Sequence, residues 1–408
     1  MKDTKEYIIA FVKWIVISSL LGLLGGVLGS VFHISVEKAT HLRVNNTWVI
    51  FLLPIGGVLI TYLYRLFRSK GNIDTNRVLD SARDGKKVPI IMLPLIFVST
   101  VITHLLGGSA GREGAALQLG GSMGYNVGKL LRLNERDMHT IVLAGLAGVF
   151  SALFGTPLTA AVFAIEVVNV GKFSYWGMFP CIISALVAYN VSLAFGIEPV
   201  KFALTTVELL TFSVAIKVIL LALLCAIVSI LFIKSIHYAE KYMEKFLKNP
   251  YFRAFIGGAV LIALTILAGN QDYNGAGMNI IERAMSGDAR YEAFLMKIIF
   301  TAITIASGFK GGEIVPTFFI GSTFGCVAGG ILGLNPGFSA AVGFVALFCG
   351  VVNCPIASII LSVEVFGSEG LLLFALASAV SFLLSGRFSL YKSQKIIYAK
   401  FADLNIEE

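Results

Sequence analysis

The sequence predicts an all-α, polytopic membrane protein built from two repeated halves. Three observations carry that reading: an apolar composition poor in charge, a succession of apolar segments broken by Gly and Pro, and two motifs that each recur about 200 residues later. Of the 408 residues, 57% are hydrophobic and 14% charged. Ordinary soluble domains run at about 45–50% and about 25%. This balance excludes a soluble enzyme, and it excludes a disordered chain, which needs low hydrophobicity and high charge. At about 20 apolar residues per membrane helix, the chain can supply roughly a dozen helices. The net charge of +8 is read as topology-setting loops touching anionic lipid, not as a nucleic-acid surface. The basic stretch from Arg65 to Lys87 is expected to face the cytoplasm of a multi-pass plasma-membrane protein.

The apolar segments run in order through 8–32, 48–64, 90–106, 114–131, 141–168, 175–196, 207–233, 252–269, 294–307, 314–333, 338–350, 354–366 and 369–385. The first follows a charged N-terminus, Met1–Glu6, and no cleavage site is evident, so it reads as a membrane helix rather than a signal peptide. Several later segments are too short to span or are interrupted, as in discontinuous helices around a binding site. The 42 glycines suit close helix packing. The charged stretch Lys234–Arg253 reads as a helix end plus a loop separating two halves. Little follows Tyr391 except a polar tail, so no soluble C-terminal domain is expected. The five cysteines sit in apolar runs and read as buried small hydrophobes. No metal-ligand spacing, phosphate loop, nucleotide fingerprint or Ser/His/Asp arrangement is present, so neither enzyme chemistry nor a cofactor or metal is expected.

The repeat is legible in two places. Thr156–Val167 matches Cys354–Val365 at an offset of 198 residues, with Pro157 and Glu166 opposite Pro355 and Glu364. Gly107–Gly124 resembles Gly308–Gly325 at an offset of 201, which places Glu113 opposite Ile314. Repeats of this kind build transporters whose site lies where the halves meet.

Gly111-Arg112-Glu113-Gly114 stops one apolar segment and starts the next helix. Free N–H groups and the dipole at a helix start favour an anion, so the Glu113 carboxylate can itself occupy an anion site and, once protonated, leave it. A Glu that only caps its own helix is the alternative. In Gly311-Gly312-Glu313-Ile314-Val315-Pro316, the amides of Ile314 and Val315 are free to face an anion, and Glu313 reads equally as a solvated carboxylate. The symmetry of Glu166 and Glu364 points to a shared structural role, accepting hydrogen bonds from broken helix ends. His104, on an apolar helix, and His139, in a polar loop, read as satisfied or exposed residues rather than ligands.

GREG at 111–114, GGEIVP at 311–316, the paired Pro…Glu helices and SLY at 389–391 together resemble the CLC family of anion channels and anion/proton antiporters, over about residues 10–395. The resemblance implies a homodimer of single transporter domains (1–408). Each domain would comprise inverted halves of about 10–200 and 207–395, a tail of 396–408, and its own anion path. It makes Glu113 the gating and proton-transferring glutamate. Ile314, Val315 and Tyr391 become anion-binding groups. The family's chloride-coordinating serine falls on Asn72, and the inner proton-relay glutamate falls on Val167. Asn72, the missing inner glutamate and the GGE triplet are similar to the fluoride/proton branch, although that branch is expected to have a threonine where Val315 stands. An amide suits fluoride because it offers two donors where a hydroxyl offers one. Of the 31 phenylalanines, Phe318 and Phe319 are candidate pore-lining residues, since a positive ring edge can solvate a bare anion. The expected function is fluoride export coupled to proton entry. A passive chloride or fluoride channel of the same fold is the alternative.

Overall fold

A computed structural model of the chain describes residues 2–67, 74–397 and 400. The first half begins with α1 (Lys2–Asn45), a short 3-10 turn (Thr47–Leu52), α2 (Leu53–Leu66), α3 (Thr75–Asp84) and α4 (Met92–Leu106). It continues with α5 (Glu113–Leu130), α6 (Glu135–Phe154), α7 (Pro157–Glu166), β1 (Asn169–Val170) and α8 (Tyr175–Ala194). The second half holds α9 (Phe212–Phe246), α10 (Pro250–Ala268), α11 (Met278–Met285), α12 (Ala293–Ala306), α13 (Ile314–Ile331), α14 (Pro336–Val352), α15 (Pro355–Phe366) and α16 (Leu371–Leu384). A terminal strand β2 (Lys395–Ile396) pairs in parallel with β1 and so ties the end of the chain to the first half.

Three sequence readings change. In the charged stretch Lys234–Arg253 the helix end is longer than expected, because α9 runs on to Phe246 and only a short break precedes α10 at Pro250. The non-helical segment between Ala194 and Phe212 contains the 200–207 boundary expected between the halves. The basic stretch from Arg65 contains the polar helix α3, started by the Asp74 side chain accepting the Arg77 N–H at 3.0 Å. Arg83 lies between Asp80 and Asp84, at 2.8 and 2.6 Å, and also donates to the Ser393 carbonyl. That guanidinium holds the Asp84 carboxyl below its ordinary pKa. His139 lies on α6, not in a loop, and its Nδ1 is 2.8 Å from the Ala82 carbonyl.

Among the described residues, seven helices are long and apolar enough to cross a membrane, while α7, at 10 residues, rises only about 15 Å against a hydrocarbon core of about 30 Å. Burial sorts the elements. The outer faces of α1, α2, α9 and α10 carry exposed Leu, Ile and Phe side chains, as lipid contact requires. Nearly every residue of α6 and α14 from Thr140 and Gly337 onward is buried. Glycine makes this inner layer possible. A Cβ on Gly120 would stand 2.4 Å from the Gly145 carbonyl oxygen, and one on Gly321 would stand 2.4 Å from that of Gly343. The α5–α6 and α13–α14 pairs therefore pack backbone to backbone.

The halves are related by a two-fold exchange of contacts. The Glu166 carboxylate ends α7 and accepts the N–H groups of Ile356 and Ala357 at 3.1 and 2.9 Å. Glu364, near the end of α15, accepts those of Leu158 and Thr159 at 2.9 and 2.8 Å. Each short helix thus closes the other's N-terminus. Residue i meeting j while j′ meets i′ is what a two-fold axis relating the halves produces. Removing one carboxylate strands two amides, at about 1–3 kcal/mol for each buried group. Glu166→Ala, the more buried case, is expected to lower the melting temperature in detergent more than Glu364→Ala, with Glu166→Gln milder than either. Differential scanning fluorimetry checks the order.

Candidate functional site

The site forms where α5 and α13 begin. Their preceding helices, α4 and α12, end on Gly107 (φ +92°) and Gly308 (φ +96°), left-handed conformations that glycine adopts without strain. The two following loops then cross. Gly111 N–H donates to the Gly312 carbonyl at 2.6 Å, and Gly312 N–H donates back to Gly111 at 2.7 Å. A Cβ on Gly312 would stand 2.2 Å from the Gly114 nitrogen, so no other residue fits. The crossing brings two helix N-termini, with their unpaired first-turn amides, into one buried region. The amides of Ile314 and Val315 belong to that turn of α13, and Pro316 has no N–H to offer.

Glu113 is 1% exposed. Its Oε2 accepts the N–H of Arg112 at 3.0 Å. Its Oε1 lies 3.4 Å from Arg112 Nε and has no hydrogen-bond partner among the described residues. The carboxylate is folded back on the start of its own helix and is only half satisfied, in contrast to Glu166 and Glu364, each of which holds two amides.

Two large cavities approach this crossing from opposite sides. One, of about 880 Å³, reaches Glu113, Arg112 and Val315. The other, of about 850 Å³, reaches Gly311, Glu313 and Tyr391. The first touches Gly269, just past the end of α10, and the second touches Arg253, near its start. At about 1.5 Å per residue these two points lie about 24 Å apart along the helix, so the cavities lie toward opposite ends of α10. Tyr391 is 3% exposed and its hydroxyl has no partner among the described residues.

Of the residues read from the sequence, Glu113, Ile314, Val315 and Tyr391 are all drawn to this crossing or its cavities. Asn72 lies outside the described residues. Phe318 and Phe319 border neither cavity. Phe318 stacks on Phe344 with centroids 3.9 Å apart, and Phe319 packs edge-on to Tyr273 beneath the Lys297 ammonium, 5.0 Å from its ring. Val167 keeps its side chain buried and apolar. His104 is buried rather than exposed, and its ring lies against the Gly111 backbone.

Three residues escaped the sequence reading. Lys297, fully buried on α12, donates to the carbonyls of Tyr273 and Gly275 at 3.2 and 2.7 Å. A lysine inside an apolar segment is itself a signal of function or structure. Arg43 is 5% exposed and lies beyond the apolar run that marks α1. Gln394 gave no signal at all, yet it joins both halves to the turn that carries Tyr391. Its Nε2 donates to the carbonyls of Val167 and Val352 at 3.0 and 2.8 Å. Its Oε1 accepts from Asn353 Nδ2 and Ser389 Oγ at 3.1 and 2.6 Å. All the hydrogen-bonding capacity of a buried amide is used.

A family profile described as voltage gated chloride channel matches residues 56–386. A chloride/fluoride channel protein of Pseudomonas syringae pv. tomato is 33% identical over 395 residues, 95% of this chain and 87% of that protein. An H(+)/Cl(−) exchange transporter of Vibrio cholerae is 26% identical, covering 91% of this chain and 85% of its own. The crystal structure of a CLC-type fluoride/proton antiporter superimposes with a TM-score of 0.90 at 31% identity, covering 95% of this chain and 98% of that one. A eukaryotic CLC transporter, at 18% identity and a TM-score of 0.75, shares the fold.

Gln394→Leu is expected to leave the Val167 and Val352 carbonyls unpaired and free the Tyr391 turn. The protein should then melt earlier and lose order at Tyr391, with Gln394→Glu, which cannot donate, behaving alike. Thermal melting and hydrogen exchange over residues 386–397 check this.

Proposed function

The chain belongs to the voltage-gated chloride channel (CLC) family, and within it we propose that this multi-pass membrane protein is a fluoride/proton antiporter that expels fluoride. One observation carries the reading: a buried carboxylate, Glu113, rests at the start of its own helix and is only half satisfied among the described residues. Deprotonated, it holds the position an anion would take, attracted by the amides at the start of α5 and by Arg112. Protonated, it loses that attraction and swings aside, carrying the proton. Anion and proton then exchange at one place without an inner relay, as Val167 requires.

The preference for fluoride draws support from the 31%-identical antiporter structure, from the relative named for chloride and fluoride, and from the GGE triplet. Hydrogen fluoride, a neutral weak acid, enters cells and dissociates, so export against a gradient needs a coupled ion. In this reading the Tyr391 cavity opens to the cytoplasm. It touches the basic residues Arg77, Lys241, Arg253 and Lys392, and basic segments stay on that side. Tyr391, the α13 amides of Ile314 and Val315, and Asn72 then hold the arriving anion. The assembly is a homodimer with one path per subunit. Val315, which brings no hydroxyl to the Glu113 cavity, favours the second reading, passive conduction.

In proteoliposomes read with fluoride and chloride electrodes and an internal pH dye, fluoride is expected to leave far faster than chloride and to drive protons uphill. Glu113→Gln is expected to lose proton movement at least 100-fold, on the scale of losing a proton-transfer group. Leakage of both halides with no proton movement would establish the passive channel instead.

A further inference from the structure

The turn that carries Tyr391 is braced by a side chain that no step above uses. Lys400 lies beyond β2, and its ammonium donates to Asn353 Oδ1 at 2.5 Å, to the Phe382 carbonyl at 2.8 Å and to Ser385 Oγ at 2.8 Å. An ammonium has three donors and no acceptor, so all of its capacity is spent. The Phe382 ring face covers it, with the centroid 4.2 Å from the nitrogen. All three oxygens belong to helix ends. Phe382 stands in the last turn of α16, Ser385 caps that helix, and Asn353 caps α14. Two helix C-termini, each with a partial negative charge, thus converge on one cation.

The consequence of this contact falls on Asn353. That residue is fully buried and left-handed, with φ +58°, a conformation asparagine tolerates at a helix end. Its Oδ1 accepts from Lys400 and, at 3.3 Å, from Ser385 Oγ. Its Nδ2 faces the other way and donates to the Phe388 carbonyl at 2.9 Å and to Gln394 Oε1 at 3.1 Å. Those two partners flank Tyr391 on either side. Between them, the Leu390 N–H donates to the Val351 carbonyl at 3.2 Å and seats the turn on the end of α14. A hydroxyl such as Ser385 pairs with either end of an amide, whereas a lysine only donates. Lys400 therefore admits only the oxygen of Asn353 on its own side, and the N–H₂ must face the Tyr391 turn.

We propose that Lys400 is a positioning residue for anion transport: it fixes the orientation of the Asn353 amide and, through that amide, the place of Tyr391 in the anion path. Without the ammonium, the amide is free to turn over and set its oxygen against the Phe388 carbonyl and Gln394 Oε1, where acceptors face acceptors. The Tyr391 turn then loses its hold on both sides. Lys400 itself does not touch the anion. The inference rests on Tyr391 as an anion-binding group, proposed above, and supplies what keeps that group in place.

Fluoride efflux from proteoliposomes of the full chain, measured against internal fluoride concentration and paired with hydrogen exchange over residues 386–397, tests it. Lys400→Met is expected to raise the half-saturating fluoride concentration about tenfold, and Lys400→Arg, which also only donates, by no more than about threefold, on the scale of one charge-assisted hydrogen bond. The maximal rate should change less than about twofold in both, as for a loss of binding rather than of turnover. Exchange over 386–397 should quicken in Lys400→Met and stay slow in Lys400→Arg. Asn353→Asp keeps an acceptor for Lys400 but removes the donors to the turn, so it should reproduce the Lys400→Met pattern, and it decides where melting curves show that Lys400→Met fails to fold. Added to Tyr391→Phe, Lys400→Met should cost little more, since both act on one group. Wild-type exchange over 386–397 in Lys400→Met overturns the proposal. So does a wild-type half-saturating concentration in Lys400→Met where Tyr391→Phe shifts its own. If Tyr391→Phe shifts nothing, or the wild type moves no fluoride, the reading of Tyr391 or of fluoride transport fails instead, and exchange in Lys400→Met then judges the hold on the turn by itself.

Discussion

A helix that begins inside a membrane protein brings amides with no acceptor of their own, and nothing in hydrocarbon can satisfy them. The architecture around the site is arranged by that constraint. Helices α5, α7, α13 and α15 all begin within the protein. For α7 and α15 the debt is settled permanently by Glu166 and Glu364, each reaching across to the other repeat. For α5 it is settled by Glu113, on the same helix and with a single hydrogen bond. For α13 there is no repeat-related carboxylate, because Ile314 stands where Glu113 would be. The repeat therefore contains one closed pair and one open pair. Closure gives a rigid frame, and in the proposed cycle the open pair is where an exchangeable anion binds.

Glycine makes the open pair possible in space. The Gly111–Gly312 exchange of hydrogen bonds requires two backbones to meet without side chains, and the Gly120–Gly145 and Gly321–Gly343 contacts repeat the requirement one layer deeper. Helices held this closely leave little freedom to slide. Movement in the proposed cycle is then concentrated in one side chain, that of Glu113, rather than spread over the halves. The 880 and 850 Å³ cavities bring water to both sides of a short barrier, and Gln394 fixes the Tyr391 turn against that barrier by bonding to the ends of α7 and α14 at once.

Composition and internal similarity made the membrane class, the repeat and the broken helices legible, because lipid solvation and helix interruption are written in residue type. The Glu166 and Glu364 role was legible for the same reason: a symmetric pair of carboxylates in apolar helices has few uses beyond capping. Glu113, Ile314 and Val315 could be singled out because a glycine break before a helix is a local pattern. Elsewhere local patterns fell short. The charges after Lys234 suggested a helix end plus a loop, but α9 extends through most of them with its polar side chains beyond the apolar run. For His104 the sequence left satisfied and exposed both open, and its burial depends on elements distant in the chain.

What the sequence by itself determined is therefore the class of solvent the protein lives in, the duplication, and the places where helices stop. Each follows from residue chemistry over a window of a few turns. Only the tertiary structure decided which helix start is closed and which is open, that Gln394 joins both halves to Tyr391, and that Arg43 reaches the Glu113 cavity. Those outcomes depend on contacts between residues far apart in the chain, such as the 227 positions between Val167 and Gln394, and the balance of partners around a buried group exists only once the halves have packed.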